Sequence, residues 1–190
     1  MLEREFLREF RDVTQAKWRE KAIDRKIYGF QFQKGTRWNP GLTEEAIREY
    51  ERALRALFPD DLRSILREMN GTDLPTLNVY GFSRETHRES VGVYSYAKHI
   101  DIVNQRIEDI RANCALIVAD LRKPGFDLSN EASLVPFYEH RFVVCRSDLR
   151  SSEVLSIETA VASSDSIVSA NSLLSICKKS FYVYPGQDTQ

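Results

Sequence analysis

Between Asn39 and Gly71 the chain reads NPGLTEEAIREYERALRALFPDDLRSILREMNG, and this stretch constrains the fold more than any other. Asn39-Pro40-Gly41 continues no regular element, and Thr43 then offers a hydroxyl to the orphan amides of a new helix. Glu44 and Glu45 fall in its first turn, where carboxylates suit the positive end of the helix dipole. Ala46, Ile47, Tyr50, Leu54 and Leu57 follow at helical spacing and form one apolar stripe. At Phe58-Pro59-Asp60-Asp61 the chain restarts, because proline fits the first turn of a helix and two acids follow it. Leu62, Ile65, Leu66 and Met69 make a second stripe, and Asn70-Gly71 supplies left-handed conformers to stop it. The spacing predicts a hinged pair of helices meeting at Phe58-Pro59, with Leu54, Leu57, Leu62 and Leu66 buried.

The flanking segments add a sheet and further helices. Leu2 to about Lys26 carries a broad stripe of Phe6, Leu7, Phe10, Val13, Thr14, Trp18 and Ala22. Acids and bases interleave on its other face, where a membrane-surface helix would be mainly basic, so packing on the domain is expected. Ile27 to Trp38, interrupted by Gly29 and Gly35, reads as a short edge strand or an extended arm. Leu77 to Tyr80 and Val91 to Tyr96 alternate as strands, and the polar loop Ser83 to Ser90 between them predicts an antiparallel pair. From Asp101, a candidate cap, Val103, Ile107, Ile110, Cys114, Ile117 and Leu121 recur every three or four residues. That period predicts a long helix to Arg122, stopped at Pro124-Gly125, although Ala115 to Ala119 taken alone also suits a buried strand. Leu134 to Phe137, Arg141 to Cys145 and Val154 to Ile157 form a meander pattern, with Ile167-Val168 as a further strand. Ser172 to Phe181 reads as a helix and Tyr184 to Gln190 as a frayed tail.

This alternation of elements predicts a single α+β domain with a mainly antiparallel, twisted sheet and helices packed on it. Within 1–190, the pattern assigns 1–37 to an N-terminal helix and aromatic arm, 38–182 to the core and 183–190 to a tail. At 190 residues the core suffices without a disulfide or metal. Three widely spaced cysteines, Cys114, Cys145 and Cys177, form no metal motif and predict free, mostly buried thiols in a reducing compartment. The charged start Met1-Leu2-Glu3-Arg4-Glu5 lacks the apolar run of a signal peptide, and no run approaches the ~20 apolar residues that span a bilayer. A cytoplasmic protein is expected, without membrane contact. Its 27 basic and 28 acidic residues give a net charge of -1, which argues against a nucleic-acid-binding face.

Catalytic signatures are sparse. The eight glycines form neither GxxxxGK[ST] nor GxGxxG, and His87, His99 and His140 show no metal-ligand spacing. No cofactor is expected. His87 and His99 read as surface residues, and Asp60-Asp61 as dipole partners rather than an acid/base pair. One polar cluster stands out, Tyr138-Glu139-His140-Arg141. Either His140 bonds a carbonyl and Arg141 an acid in a structural role, or both line a groove beside Trp38 for a partner. The nearby Cys145 follows Phe142-Val143-Val144 and reads as a buried, inert thiol. Tyr94 and Tyr96 share one face of their strand and either pack beneath the long helix or join an interface. The candidate partner-binding residues are thus Tyr94, Tyr96, His140 and Arg141.

The order of Trp38, Pro59-Asp60-Asp61, Leu66 and Asn70-Gly71 resembles the SUKH superfamily of Smi/Knr-type domains. Similar stretches follow at Leu134-Val135-Pro136-Phe137 with His140-Arg141, at Val154-Leu155-Ser156-Ile157, and in a closing helix from Asn171 to Phe181. Phe58 departs from the family's usual leucine, and Leu62 from a common aromatic. The superfamily contains many immunity proteins of bacterial polymorphic toxin systems and a fungal cell-wall signalling scaffold. The resemblance implies a non-enzymatic protein that neutralises a cognate toxin by direct contact. Two rivals stay open: a regulatory or scaffolding interaction domain, and an enzyme of unrecognised type using the His140-Arg141 region.

Overall fold

The computed structural model describes residues 2–79, 87–112, 133–146, 153–157 and 168–172. Helix α1 (Arg4–Glu20) leads to β1 (Gly29–Phe32), β2 (Trp38–Pro40), α2 (Glu44–Leu54), α3 (Asp60–Glu68) and β3 (Met69–Thr72). These are followed by β4 (Thr76–Val79), β5 (His87–Ser90), α4 (Ile100–Ala112), β6 (Ser133–Tyr138), β7 (Arg141–Cys145), β8 (Glu153–Ile157) and β9 (Val168–Ser172). The fold is α+β, and every strand pair in it is antiparallel among the described residues. Where one sheet is expected, the described strands divide into three, in the orders β1-β4-β5, β2-β3 and β6-β7-β8-β9.

The helix pair forms largely as its punctuation dictates. The Thr43 hydroxyl accepts from the Ala46 N–H and caps α2. Ile47, Tyr50 and Leu54 are buried, as are Leu62, Ile65, Leu66 and Met69 from α3. Leu57, expected in the buried stripe, is instead 65% exposed. The cause is Arg55, which caps α2 in the left-handed region (φ 52°, ψ 40°) and breaks the helical phase before Leu57 is reached. The stop of α3 also differs from expectation. Met69 turns extended at φ -157° and carries the chain straight into β3, within which Gly71 adopts φ 68°. A Cβ on Gly71 would lie 2.2 Å from Ser95 Oγ and 2.8 Å from Ser95 N, so this position excludes any side chain.

Helix α1 ends at Glu20, short of the expected Lys26, and is built into the core by its aromatic rings. Phe10 lies 5.9 Å from Trp38, Trp38 5.3 Å from Trp18, Trp18 4.3 Å from Phe32, and Phe32 5.9 Å from Tyr138. This row of rings crosses from α1 through β2 and β1 to β6. Offset and tilted rings at such distances add to the gain from burial alone.

Among the described residues, β1 is an edge strand, one of its two expected forms. The polar segment expected to be a loop ends as β5, paired with β4 from Thr76↔Ser90 to Val79↔His87. Val91 to Tyr96, expected as the partner strand, contributes only a bridge from Val93 to Tyr138 among the described residues. Gly92, at φ 70°, turns the backbone out of the ladder there. Helix α4 starts at Ile100 and buries Val103 and Ile110. The β6-β7-β8 meander forms as expected and β9 extends it. Asn171 and Ser172, expected to open a closing helix, are the last residues of β9. The expectations for Tyr80 and Ser83, for the long helix beyond Ala112 with Cys114 and its Pro124-Gly125 stop, and for Leu173 onward with Cys177 lie outside the described residues. Among those described, no helix is long and apolar enough to cross a membrane.

Candidate functional site

The β6–β7 turn gathers the polar cluster singled out in the sequence. Antiparallel pairing brings Tyr138 opposite Arg141, leaving Glu139 and His140 as the turn. Glu139 is left-handed at φ 51°, a conformation few side-chain-bearing residues adopt. Several bonds hold it there. Its N–H donates to the Gly92 carbonyl at 3.0 Å, and its carbonyl accepts the Tyr94 hydroxyl at 3.4 Å. The Thr76 hydroxyl donates to Glu139 Oε1 and the Ser90 hydroxyl to Oε2, the latter at 2.6 Å.

Glu139 is only 5% exposed. Desolvation pushes its carboxyl above the ordinary range, against the two hydroxyl bonds and the charges of Arg106 and Arg141. The carboxyl therefore joins β4 and the end of β5 to the β6–β7 turn. Sequence reasoning missed it, since a glutamate between Tyr138 and His140 reads as an ordinary polar turn residue.

The four candidate residues do not converge. Arg141 is half-buried, with its guanidinium carbon 5.1 Å above the Tyr138 ring, a cation–π geometry. His140 is half-buried, its ring 6.0 Å from that of Phe30. Trp38 is instead buried in the aromatic row, its indole N–H donating to the Thr14 hydroxyl at 2.8 Å. Tyr94, expected either to pack inward or to join an interface, is 7% exposed, and burial raises its hydroxyl pKa. Tyr96 is half-buried and stacks on Tyr50 at 4.5 Å, which ties it to α2 rather than to the turn. His140 and Arg141 thus share the β6–β7 turn, with Tyr94 beneath it and Tyr96 elsewhere.

Other ionisable groups serve structure. The Ser95 N–H donates to His99 Nδ1 at 3.1 Å, and desolvation and the Lys98 charge lower the His99 pKa, so the ring is neutral with its proton on Nε2. His99, expected as a surface residue, is half-buried. Cys145 is a free, buried thiol, as expected, and desolvation chiefly, then the Glu51 charge, raises its pKa. A thiol so placed stays protonated and a poor nucleophile. Among the described residues no cluster of three or more His, Cys, Asp or Glu is arranged to hold a metal ion.

No protein-family profile, curated protein or solved structure matches the chain.

Proposed function

We propose that this chain is a non-enzymatic, cytoplasmic protein-binding domain of the SUKH type, an immunity protein that neutralises a cognate bacterial toxin by direct contact. The observation that carries this reading is the work done by the residues on which the resemblance rests. Pro59, at φ -59°, starts α3, while Leu66 is buried and its carbonyl accepts the Leu42 N–H at 2.7 Å. Asn70 bonds both backbone groups of Tyr96 through its side chain, and Gly71 fits where no side chain can. Trp38 anchors α1 through Thr14. These residues act as joints of one scaffold, as expected when a motif marks a fold and the working surface varies around it.

The buried acids support the same reading. Glu51 is engaged by Arg63 and the Phe58 N–H, Glu68 by Arg4 and Arg8, and Glu139 by two hydroxyls. Each joins elements of the scaffold. The mechanism is steric: an immunity protein of this kind covers the toxin's active site and needs no chemistry of its own.

The test is co-expression with the polypeptide encoded beside this chain. A stable complex that restores growth is expected. No complex and no rescue at any expression ratio would refute the reading, and a bound but harmless neighbour would favour a scaffolding role.

A further inference from the structure

We infer that the groove along α2 and the α2–α3 turn, with Leu57 as its knob, is the docking face for an acid-rich segment of a protein partner. This inference rests on the protein-binding reading above and deepens it. The groove has a volume of about 680 Å³, and among the described residues its wall includes Arg48, Arg52, Arg55, Glu45, Glu49 and Leu57.

Leu57 is held outward by its neighbours. The Ala56 N–H donates to the Glu51 carbonyl at 3.1 Å, and the Phe58 N–H to the Glu51 carboxylate at 2.9 Å. Ala56 and Phe58 are each 6% exposed, whereas Leu57 between them is the most exposed of the large apolar side chains described. The backbone reaches this geometry through Arg55 in the left-handed region, where glycine or asparagine would be less strained. An apolar side chain pinned outward on a strained turn loses little further freedom when it is covered, which favours binding.

The surrounding charges indicate what covers it. Glu44 and Glu51 turn inward to Arg63 and Arg67, and Glu45 pairs with Arg48 at 2.9 Å. Arg52 spends only its Nε–H, on the Arg48 carbonyl at 3.3 Å. Arg52 and Arg55 therefore face the groove with no carboxylate partner among the described residues, beside Glu49, which likewise lacks a cation. Complementarity calls for two carboxylates opposite the guanidiniums, one cation opposite Glu49 and an apolar cup for Leu57. A phosphate backbone would meet Glu45 and Glu49 on the same wall, so a protein segment fits better than nucleic acid.

The test selects a random short-peptide display library on the full chain, then measures enriched peptides by calorimetry on wild type, Leu57→Ser and Arg55→Gly. Enriched sequences should pair two acids with a large apolar residue. Their dissociation constants should rise about 30-fold in Leu57→Ser, and by about 10-fold in Arg55→Gly. Thermal stability should be unchanged in the first and equal or higher in the second, because glycine relieves the left-handed turn. Failure to enrich any sequence, enrichment without acids, or equal affinity for the variants would overturn the inference. Self-association of wild type abolished by Leu57→Ser would also overturn it by making a second copy the occupant, and competition by a nucleic-acid oligomer would do so by changing the partner's class. A neighbouring-gene product that binds wild type and Leu57→Ser alike refutes this surface and leaves the binder reading intact. One that binds neither refutes the binder reading itself.

Discussion

Glu68 and Glu139 are both nearly covered, at 8% and 5% exposed, but Glu68 is covered by surface arginines while Glu139 lies deeper, and their carboxyls are driven in opposite directions. Glu68 ends α3 beneath Arg4 and Arg8 of α1, whose side chains are 71% and 52% exposed. Desolvation pushes its carboxyl up, but the hydrogen bonds and charges of the two arginines outweigh this and its pKa falls. At Glu139 desolvation wins, because the direct partners are neutral hydroxyls and Arg106 and Arg141 act only through their charge. The depth of the site and the identity of its donors together decide what a carboxylate contributes. The arginines of Glu68 remain in water, so salt can weaken that joint, whereas the joint at Glu139 is shielded from ions.

The largest effect is expected from Glu139→Ala, which strips both hydroxyls of their acceptor and should lower stability by about 2–3 kcal/mol in denaturant titration. A loss below ~0.5 kcal/mol would mean that Glu139 does not join the sheets. Glu139→Gln sharpens the contrast. With its pKa raised in the folded state, Glu139 binds more protons folded than unfolded, so its contribution is present at low pH and is lost as pH rises through the folded value. The glutamine variant should therefore gain on wild type as pH rises above the ordinary carboxyl range, by on the order of 1 kcal/mol near neutrality. A difference that is flat with pH would contradict the raised carboxyl.

Glu68→Gln should behave in reverse. The Glu68 contribution is present above the ordinary carboxyl range and is lost as pH falls through its lowered folded value, so the variant is weaker at neutral pH and converges on wild type in acid. Solvent screening around Arg4 and Arg8 limits the effect to about 0.5–1 kcal/mol. The smallest effect expected is that of salt. Raising the ionic strength should narrow the Glu68→Gln deficit by a few tenths of a kcal/mol and leave the Glu139→Gln difference unchanged.

The helix pair was legible because its signals are local. Thr43 lies three residues before the Ala46 amide it caps, and Ile47, Tyr50 and Leu54 keep one phase. What escaped depends on distant partners or on rare conformers. The buried carboxyl of Glu139 is bonded by Thr76 and Ser90, which lie 63 and 49 residues away. The exposure of Leu57 follows from a left-handed arginine, a residue type that gives no warning of that conformation. The segment from Val91 to Tyr96 alternates like a strand, but Gly92 takes it out of the ladder, and pairing with β4 falls to the polar His87–Ser90 instead. Of the candidate residues, His140 and Arg141 were recognisable as a polar turn. Tyr94 was left open between packing and an interface, because alternation says which residues share a face and is silent on which face is covered.

Asn70 carries a consequence in chemical ageing. An asparagine followed by glycine is open to attack by the glycine amide nitrogen on its side-chain carbonyl carbon, which releases ammonia and closes a succinimide ring. In this fold the Asn70 side chain accepts the Tyr96 N–H at 2.8 Å and donates to the Tyr96 carbonyl at 3.3 Å, while Asn39 and Ser95 hold its main-chain carbonyl. Ring closure swings the side chain toward the Gly71 nitrogen, so both bonds to Tyr96 must break first. The rate at which Asn70 turns to aspartate and isoaspartate in a stored sample thus becomes a slow clock that records how often this joint opens.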